Sequence, residues 1–251
     1  MVFSINPKSS ASIRYWRTPS GQYYKLYRDM LTQTHLLIAG KTGSGKSVVL
    51  NGIVCTALYT TPNESQFIFI DLKRVELCDY REIPHCIMYA DEIPTTIQAF
   101  EKAISIIEDR YIEMQSKGLK KYAGGHIYIV IDELADLMTT CRKQALPLLQ
   151  RIAQLGRAAN VHLIVATQCP LVTIIPTEVK VNFDSILGLK TVTAQHSRNI
   201  ISVKGCEALP KYGYGYYQTP DGMTLENIPM IPEKEIARLV LHWLSADCMT
   251  A

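Results

Sequence analysis

Residues Thr34 to Tyr59 read THLLIAGKTGSGKSVVLNGIVCTALY, and this stretch decides the fold. Its first six residues form a short apolar run typical of a buried β-strand, and residues 47–59 fit a helix. Between them, Gly40-Lys-Thr-Gly-Ser-Gly-Lys46-Ser47 matches the phosphate-binding pattern G-x-x-x-x-G-K-[ST]. A strand, a glycine-rich loop and a helix in this order predict a P-loop nucleotide-binding fold.

The spacing of this loop is what a triphosphate requires. Glycines let backbone N–H groups wrap around phosphates, and the N-terminus of the following helix adds favourable partial charge. We expect Lys46 to reach the β- and γ-phosphates and the Ser47 hydroxyl to coordinate Mg²⁺. ATP and Mg²⁺ are therefore the expected cofactors, and the alternative is a Gly/Ser-rich turn with a surface lysine. The expected nucleotide-binding residues are Gly40, Thr42, Gly43, Ser44, Gly45, Lys46, Ser47 and Val48.

A second chemical signal is the apolar run from Ile127 that ends in Asp132 and Glu133. Carboxylates at the end of a strand beside a phosphate loop predict a Mg²⁺ ligand, Asp132, and a base that activates water, Glu133. Gln168 ends the next apolar strand and is expected to contact the γ-phosphate or the attacking water. The adjacent Glu133 favours hydrolysis over phosphoryl transfer to a metabolite. The alternative interpretation of Asp132 and Glu133 is a strand that ends in a solvated acidic turn without a catalytic role.

Short apolar segments alternate with longer helical ones along the chain. Near-continuous apolar strands separated by helices predict an α/β fold, with a mostly parallel sheet covered on both faces. The expected strands are 34–39, 66–71, 126–132, 161–166, 186–189 and 213–217, and the expected helices are 47–59, 95–116, 142–158 and one that begins after Pro232.

The bulk composition narrows the class of protein. The 251 residues, of which 47% are hydrophobic and 20% charged, are sufficient for one large core, and a net charge of +3 neither requires nor excludes nucleic-acid binding. Seven scattered cysteines, no signal-peptide pattern and no apolar run near the roughly 18–20 residues of a membrane span predict a cytoplasmic protein. We expect residues 1–30 to be an extension that packs on a motor domain of residues 31–251, with no transmembrane segment or winged-helix domain.

Several blocks between residues 34 and 217 resemble the FtsK/SpoIIIE motor ATPases of the HerA-like group. The phosphate loop with its preceding strand, from His35 to Ser47, is similar to that family's H-L-L-hydrophobic-A-G-x-T-G-S-G-K-S pattern. The other matching blocks are Asp71-Leu-Lys73 with Glu76-Leu77 and Ile83-Pro-His85, Asp132-Glu-Leu-Ala-Asp-Leu-Met138, Arg157-Ala-Ala-Asn-Val-His-Leu163 and Ala166-Thr-Gln168, together with Ser197-Arg198, Gly205 and Gly213.

The resemblance implies a RecA-like domain that assembles into a ring, usually a hexamer although a pentamer is compatible, with double-stranded DNA in the central pore. Nucleotide then lies between subunits, and a neighbour supplies an arginine to the γ-phosphate. Arg157 matches that arginine finger, and its planar, permanent charge suits the role. Arg198 is a second candidate for the interface or the pore. The alternative for Arg157 is a helix-terminal arginine that offsets the helix dipole.

The resemblance also implies two DNA-facing segments. Residues 117–122, Lys-Gly-Leu-Lys-Lys-Tyr, resemble a family pore loop, so Lys117, Lys120 and Lys121 are expected to contact phosphates without reading sequence. The loop after Gln168, which ends near Lys180, resembles the second pore segment. A solvated basic turn is the alternative for the first segment.

Two departures from the family pattern affect the expected DNA contacts. Cys169 replaces the arginine of A-T-Q-R-P, and Ala194 stands at a family lysine. A short motor of this kind is expected to move DNA of a plasmid, phage or integrative conjugative element, working with a relaxase, a recombinase or a membrane pore. The competing interpretations are a protein-secretion ATPase of the type VII class and a small-molecule kinase or non-hydrolysing switch.

Overall fold

A computed structural model describes residues 23–169, 171 and 174–247. The strands are β1 His35–Ala39, β2 Ser65–Ile70, β3 Cys86–Ala90, β4 His126–Ile131, β5 Val161–Thr167, β6 Ser185–Gly188, β7 Tyr214–Thr219 and β8 Gly222–Asn227. The helices are α1 Tyr23–Thr32, α2 Lys46–Thr60, α3 Ile93–Ser116, α4 Leu134–Thr140, α5 Arg142–Leu155, α6 Thr177–Lys180, α7 Ala194–Ile201 and α8 Glu233–Asp247. Within the described ranges, no helix is both long and apolar enough to span a bilayer.

The strands form one eight-stranded sheet in the order β3-β2-β4-β5-β1-β6-β7-β8. Strands β1 to β6 are parallel, with Leu37 opposite Val165 and Ile129 opposite Leu163, whereas β7 and β8 continue the sheet as an antiparallel hairpin. The predicted α/β fold with a mostly parallel sheet is confirmed. Because β1, β2, β4, β5 and β6 point the same way, their carboxyl ends meet at one edge of the sheet and their amino ends at the opposite edge.

Helices bury both faces of the sheet. On one face α3 and α5 pack on residues such as Ile129 and Leu163, and on the other α2 packs on Leu36 and Phe69. Helix α2 is apolar around most of its circumference, which fits its position between the sheet and α1 and α8. Each strand of the central sheet therefore needs apolar side chains on both faces, which is why the sequence shows continuous apolar runs there.

Three differences from the sequence prediction affect the site. Helix α5 ends at Leu155 rather than at residue 158, because the chain turns at Gly156 to reach β5, so Arg157 lies on a turn. Helix α3 begins at Ile93, two residues before the expected start, because Glu92 and Thr95 form a capping box there. Residues 1–22 of the expected extension, residues 1–30, lie outside the described residues. The predicted boundary at residue 30 falls inside α1.

Candidate functional site

The phosphate loop connects β1 to α2 at the carboxyl edge of the sheet. Its backbone is held in place by hydrogen bonds from the Gly40 N–H to the Thr167 carbonyl, 3.2 Å, and from the Lys41 N–H to the Lys190 carbonyl, 2.8 Å. Gly43 and Gly45 have φ values of 69° and 100°, which side-chain-bearing residues rarely adopt. The loop is therefore shaped by its glycines and fixed by the ends of the neighbouring strands.

Lys46 lies at the start of α2 and is largely buried, with 8% of its surface exposed. Its ammonium group donates to the carbonyl oxygens of Gly40, 3.0 Å, and Lys41, 3.2 Å, which places it inside the curve of the loop. Burial lowers the pKa of Lys46, and nearby Glu133 and Asp132 act in the opposite direction. The side chain is thus directed into the space that phosphates occupy in a P-loop. Ser47 and Val48 follow in the first turn of α2, so their backbone N–H groups lie at the helix N-terminus.

Carboxylates concentrate beside this loop, at the ends of β2 and β4. Asp71 is fully buried, and one of its oxygens accepts N–H groups of Val75 and Leu77 at 3.0 and 2.9 Å. Its other oxygen has no hydrogen-bond partner among the described residues. Burial, together with Asp71, Glu76 and Glu133, raises the pKa of Asp132 to about 7. These carboxylates add negative charge beside the loop, but among the described residues no three His, Cys, Asp or Glu side chains are arranged to hold a metal ion on their own. Asp132 alone is compatible with Mg²⁺, which binds proteins through one or two carboxylates together with phosphate oxygens of the substrate.

Glu133 is held by the end of the next strand, β5. One carboxylate oxygen accepts from the Thr167 hydroxyl, 2.9 Å, from the Ala135 N–H, 3.1 Å, and from the Gln168 N–H, 3.1 Å. The other oxygen shares only the Gln168 N–H, at 3.0 Å, and so keeps a lone pair for a further donor. Thr42 of the phosphate loop donates to the Gln168 side-chain oxygen. The predicted pair Glu133 and Gln168 therefore lies together with the phosphate loop, and Thr167 joins them without having been singled out from the sequence.

The opposite, amino edge of the sheet carries a different kind of site. A cavity of about 1250 Å³ opens there, and four of its lining residues are basic: Arg28, Lys120, Lys121 and Arg157. Glu64 and Asp184 also line it, and the Asp184 carboxylate already accepts the N–H groups of Thr34 and His35, both at 3.0 Å. The cavity therefore has an excess of positive charge, supplied by side chains that are exposed to solvent.

Two histidines line this cavity and contribute no charge near neutral pH. His162 bonds through Nδ1 to the Thr34 carbonyl, 3.0 Å, and through Nε2 to His126 Nδ1, 2.8 Å. Since the carbonyl can only accept, His162 Nδ1 carries the proton and its Nε2 accepts from His126. Burial lowers the pKa of His162 to about 3. The positive potential of the cavity therefore comes from its arginines and lysines.

The other basic residues expected at DNA have different surroundings. Lys117 forms an exposed ion pair with Glu113, at 2.6 Å. Lys180 is partly buried and donates to the Asn199 carbonyl, 2.8 Å, and burial lowers its pKa. Arg198 is exposed on α7 and contacts Gln195 at 3.3 Å. Most of the second predicted pore segment is described, but residues 170, 172 and 173 lie outside the described part. Lys180 is thus bonded to a carbonyl of its own chain, and its expected contact with DNA stays a prediction.

Sequence reasoning missed several residues of the amino edge. Arg28 is on α1, Arg110 on α3 and Asn160 on the turn before β5, so only the folded chain brings them near Lys120 and Arg157. One signal lies in the residue type, because asparagine adopts a positive φ more readily than most residues other than glycine. The φ of Asn160, 52°, explains why glycine or asparagine is suited to this position.

Comparison with known families identifies close relatives. The model of the FtsK/SpoIIIE family matches residues 8–129 and 125–172. The DNA translocase FtsK of Leptospira interrogans is 35% identical over 258 residues, which cover 94% of this chain and 27% of that protein. The corresponding protein of Rickettsia prowazekii is 32% identical over 259 residues, covering 85% and 35%, and that of Staphylococcus epidermidis is 39% identical over 196 residues, covering 70% and 25%. The chain thus spans about a quarter to a third of the length of these relatives.

Solved structures share the fold at lower sequence identity. The conjugation coupling protein TcpA of pCW3, a monomer form with ATPγS, superposes with a TM-score of 0.75 at 22% identity, covering 85% of this chain and 66% of that one. ATPases 2 and 3 of EssC from Geobacillus thermodenitrificans give a TM-score of 0.75 at 16% identity, covering 88% and 46%. These similarities confirm the predicted RecA-like P-loop ATPase fold.

Proposed function

Because the chain belongs to the FtsK/SpoIIIE family, we propose that it is an ATP-driven motor that moves double-stranded DNA. The observation that carries the proposal is the arrangement at the carboxyl edge of the sheet, where the phosphate loop, Asp132 and Glu133 meet in a chain whose curated relatives are named DNA translocases. The proposal has three parts, which concern hydrolysis, the subunit interface and DNA.

Hydrolysis is assigned to the carboxyl edge. Lys46 and the backbone of Gly40, Thr42, Gly43, Ser44, Gly45, Ser47 and Val48 bind the phosphates. Ser47 and Asp132 are the residues that would hold Mg²⁺, and the bound ion would neutralise charge on the leaving phosphates. Glu133 accepts a proton from the attacking water through the oxygen that retains a free lone pair. Gln168 touches both the phosphate loop, through Thr42, and Glu133, so it is placed to respond to the γ-phosphate.

The subunit interface is inferred from where Arg157 lies. It precedes β5, whereas the phosphate loop follows β1, which pairs with β5 in parallel. The seven residues of β5 separate these two edges, a span of about 20 Å at roughly 3.3 Å per residue. Arg157 cannot reach the phosphate loop of its own chain across that distance, so its role as an arginine finger needs a second copy. A closed ring, a hexamer or a pentamer, gives each phosphate loop a neighbour of this kind.

DNA contact is assigned to the amino edge. Lys120 and Lys121 are exposed, and within the described part of the chain they form no ion pair, whereas Lys117 pairs with Glu113. Contacts between these lysines and backbone phosphates are independent of sequence and sensitive to salt. Arg198, exposed on α7, is a further candidate for a phosphate contact.

The most specific part of the proposal is the process in which the motor moves DNA. We infer movement of plasmid, phage or integrative conjugative element DNA, in a cytoplasmic ring that works with a relaxase, a recombinase or a membrane pore. The alternative is a protein-secretion motor of the type VII class, since the fold also superposes on the type VII secretion ATPase EccC of Thermomonospora curvata, with a TM-score of 0.68 at 22% identity. The curated relatives, at 32–39% identity, favour DNA over a protein substrate.

The experiment is the ATPase rate with and without long linear double-stranded DNA, with Glu133→Gln as the inactive control. We expect strong stimulation that does not depend on DNA sequence, and we expect Glu133→Gln to bind ATP while its turnover falls about 10²-fold or more. No stimulation of assembled wild-type protein would favour a protein substrate. Near-normal turnover of Glu133→Gln would remove that residue as the base.

A further inference from the structure

The turn that carries Arg157 and the loop that carries Lys120 and Lys121 are joined by one buried side chain, Asn160. This residue is only 4% exposed and has a φ of 52°. Its amide nitrogen donates to the carbonyl oxygens of Tyr122, 3.1 Å, and Gly124, 3.0 Å. Both partners are acceptors, so the amide orientation is fixed by its own hydrogen bonds.

Further contacts brace the same junction. The Tyr122 N–H donates to the Ala158 carbonyl, 2.8 Å, so backbone also links the loop to the turn. Arg110 donates to the carbonyls of Ala159, 2.6 Å, and Asn160, 3.1 Å, and its guanidinium lies 4.3 Å from the centre of the Tyr122 ring. A Cβ on Gly124 would lie 2.5 Å from that ring, so the loop closes tightly under Tyr122. Loop and turn therefore have little freedom to move apart.

We propose that Asn160 is a positioning residue that fixes the Lys120–Lys121 loop to the Arg157 turn, so that DNA engaged by the loop sets the position of the arginine. The inference rests on the proposed function, because it assigns DNA to the lysines and the neighbour's γ-phosphate to Arg157. Glycine accepts the positive φ but has no side chain to hold the loop.

Lys121 and Arg157 are each adjacent in sequence to a residue whose backbone joins the loop to the turn. Lys121 immediately precedes Tyr122, whose N–H and C=O are both bonded to the turn, and Arg157 immediately precedes Ala158, the acceptor of the first bond. A displacement of the lysines by a DNA phosphate is therefore transmitted through two short hydrogen-bonded steps. Asn160 supplies the side-chain part of this link, and removing its side chain leaves the backbone bonds of the Tyr122 and Ile127 N–H groups and the contacts of Arg110.

The test compares Asn160→Gly with Asn160→Asp. Glycine keeps the backbone conformation and loses the side chain, whereas aspartate keeps the shape and tolerance of positive φ but cannot donate to the two carbonyls. Both variants are expected to lower the ratio of DNA-stimulated to basal ATPase at least five-fold. We expect the ATP concentration at half-saturation to stay within two-fold, because the phosphate loop lies at the other edge of the sheet. A variant that is merely destabilised would change both quantities.

A second readout does not depend on activity. Limited digestion with trypsin, followed by mass spectrometry, should show cleavage after Lys120 or Lys121 accelerated at least five-fold in both variants. Cleavage after Lys234 on α8 should stay at the wild-type rate. Arg110→Met removes the bonds to the Ala159 and Asn160 carbonyls but leaves the Asn160 side chain in place. It should act in the same direction, and it serves as the test if the Asn160 variants do not fold.

The outcomes separate the inference from the proposed function. Wild-type stimulation by DNA, with the ratio unchanged in both Asn160 variants, overturns the inference and leaves the proposed function standing. A wild-type-like Asn160→Asp beside an impaired Asn160→Gly also overturns it, because backbone flexibility would then explain the defect. If DNA does not stimulate the wild-type ATPase, the proposed function fails. If trypsin cleaves after Lys120 and Lys121 at the wild-type rate in both Asn160 variants, Asn160 does not hold the loop and the inference fails as well.

Discussion

The two edges of the parallel sheet carry sites of opposite character. At the carboxyl edge the functional groups bind each other: Lys46 donates to the phosphate loop, and Glu133 accepts from Thr167 and Gln168. At the amino edge the backbone is braced through Asn160, but Arg157, Lys120 and Lys121 extend into an open cavity. The groups at the carboxyl edge are held by hydrogen bonds within the chain, whereas the amino edge presents exposed cationic side chains that suit the phosphates of another molecule.

This difference indicates how the work is divided. A hydrogen-bonded, partly buried cluster is preorganised for chemistry, because its groups need not reorient when substrate arrives. Exposed arginine and lysine side chains suit partners that come and go, such as a neighbouring subunit's nucleotide or a DNA backbone. Changes at the carboxyl edge should therefore abolish binding or turnover within each subunit, and changes at the amino edge should act through the neighbour or the DNA.

The largest effect is expected for Lys46→Ala at the carboxyl edge. It removes the buried ammonium that lies inside the loop, so ATP affinity should fall by about 10³-fold or more. Titration with a fluorescent ATP analogue measures this directly. Lys41→Ala is the matched control, since Lys41 belongs to the same loop but contributes only backbone groups there, and its affinity should stay within a few-fold. Normal affinity of Lys46→Ala would refute the assignment of the loop.

Arg157→Ala should produce the next largest effect, at the amino edge. Loss of a finger that stabilises transition-state charge is expected to lower DNA-stimulated turnover about 10³-fold, while ATP affinity changes little. Steady-state kinetics and nucleotide titration separate the two quantities. Arg151→Ala is the control, because Arg151 lies on α5 just before the turn and pairs with Glu108 at the surface. Equal losses in both variants would mean that Arg157 has no special role.

The double variant Lys120→Ala/Lys121→Ala should weaken DNA binding about ten-fold at moderate salt. Each lost phosphate contact lowers the slope of log affinity against log salt by about 0.9, so the slope should fall by about 1.8. Fluorescence anisotropy over a salt series gives both values. Lys117→Ala should change the slope less, because Glu113 already pairs with Lys117. A slope that is unchanged in the double variant would place DNA elsewhere.

The smallest effect is a change in stability at Asp132. Burial raises the folded pKa of Asp132 from its ordinary value of 3.8 to about 7, so ionisation increasingly destabilises the nucleotide-free fold as pH rises through that interval. Asp132→Asn removes this penalty and should raise Tm by a few degrees at pH 8. The gain should shrink as the pH is lowered towards 5. Thermal unfolding without nucleotide or metal tests this, and a gain that is the same at both pH values would contradict it.

The sequence predicted the carboxyl edge well because its residues lie in short motifs at strand ends. The six expected strands all occur, and the phosphate loop, Asp132, Glu133 and Gln168 meet at one edge. Two strands were missed: β3 is only half-buried, and β8 is an exposed edge strand. Strand β3 is a run of five apolar residues, Cys86-Ile-Met-Tyr-Ala90, so it carried a signal that the prediction missed. Strand β8, Gly222-Met-Thr-Leu-Glu-Asn227, is exposed and mixes polar with apolar residues, so it has no continuous apolar run.

The contacts at the amino edge could not be predicted from sequence motifs in the same way. Arg110, Tyr122 and Asn160 come from a helix, a loop and a turn that are far apart in sequence, and their hydrogen bonds depend on tertiary packing. Lys180 illustrates the same limit, because its bond to the Asn199 carbonyl could not be predicted from its position in the sequence. A positive residue in a pore-like segment predicts a phosphate contact only if the fold leaves it exposed.

The central claim is that a working site combines the carboxyl edge of one copy with the amino edge of another. Mixing Lys46→Ala with Arg157→Ala protein tests it, because each variant supplies the edge that the other lacks. With random assembly, the mixture should recover about a quarter of wild-type DNA-stimulated turnover from two inactive proteins, since half of the copies keep Lys46 and half of their neighbours keep Arg157. A mixture of Arg157→Ala with the double variant Lys46→Ala/Arg157→Ala should stay inactive. If the first mixture co-assembles, as native mass spectrometry would show, and still does not hydrolyse ATP, the shared site is contradicted.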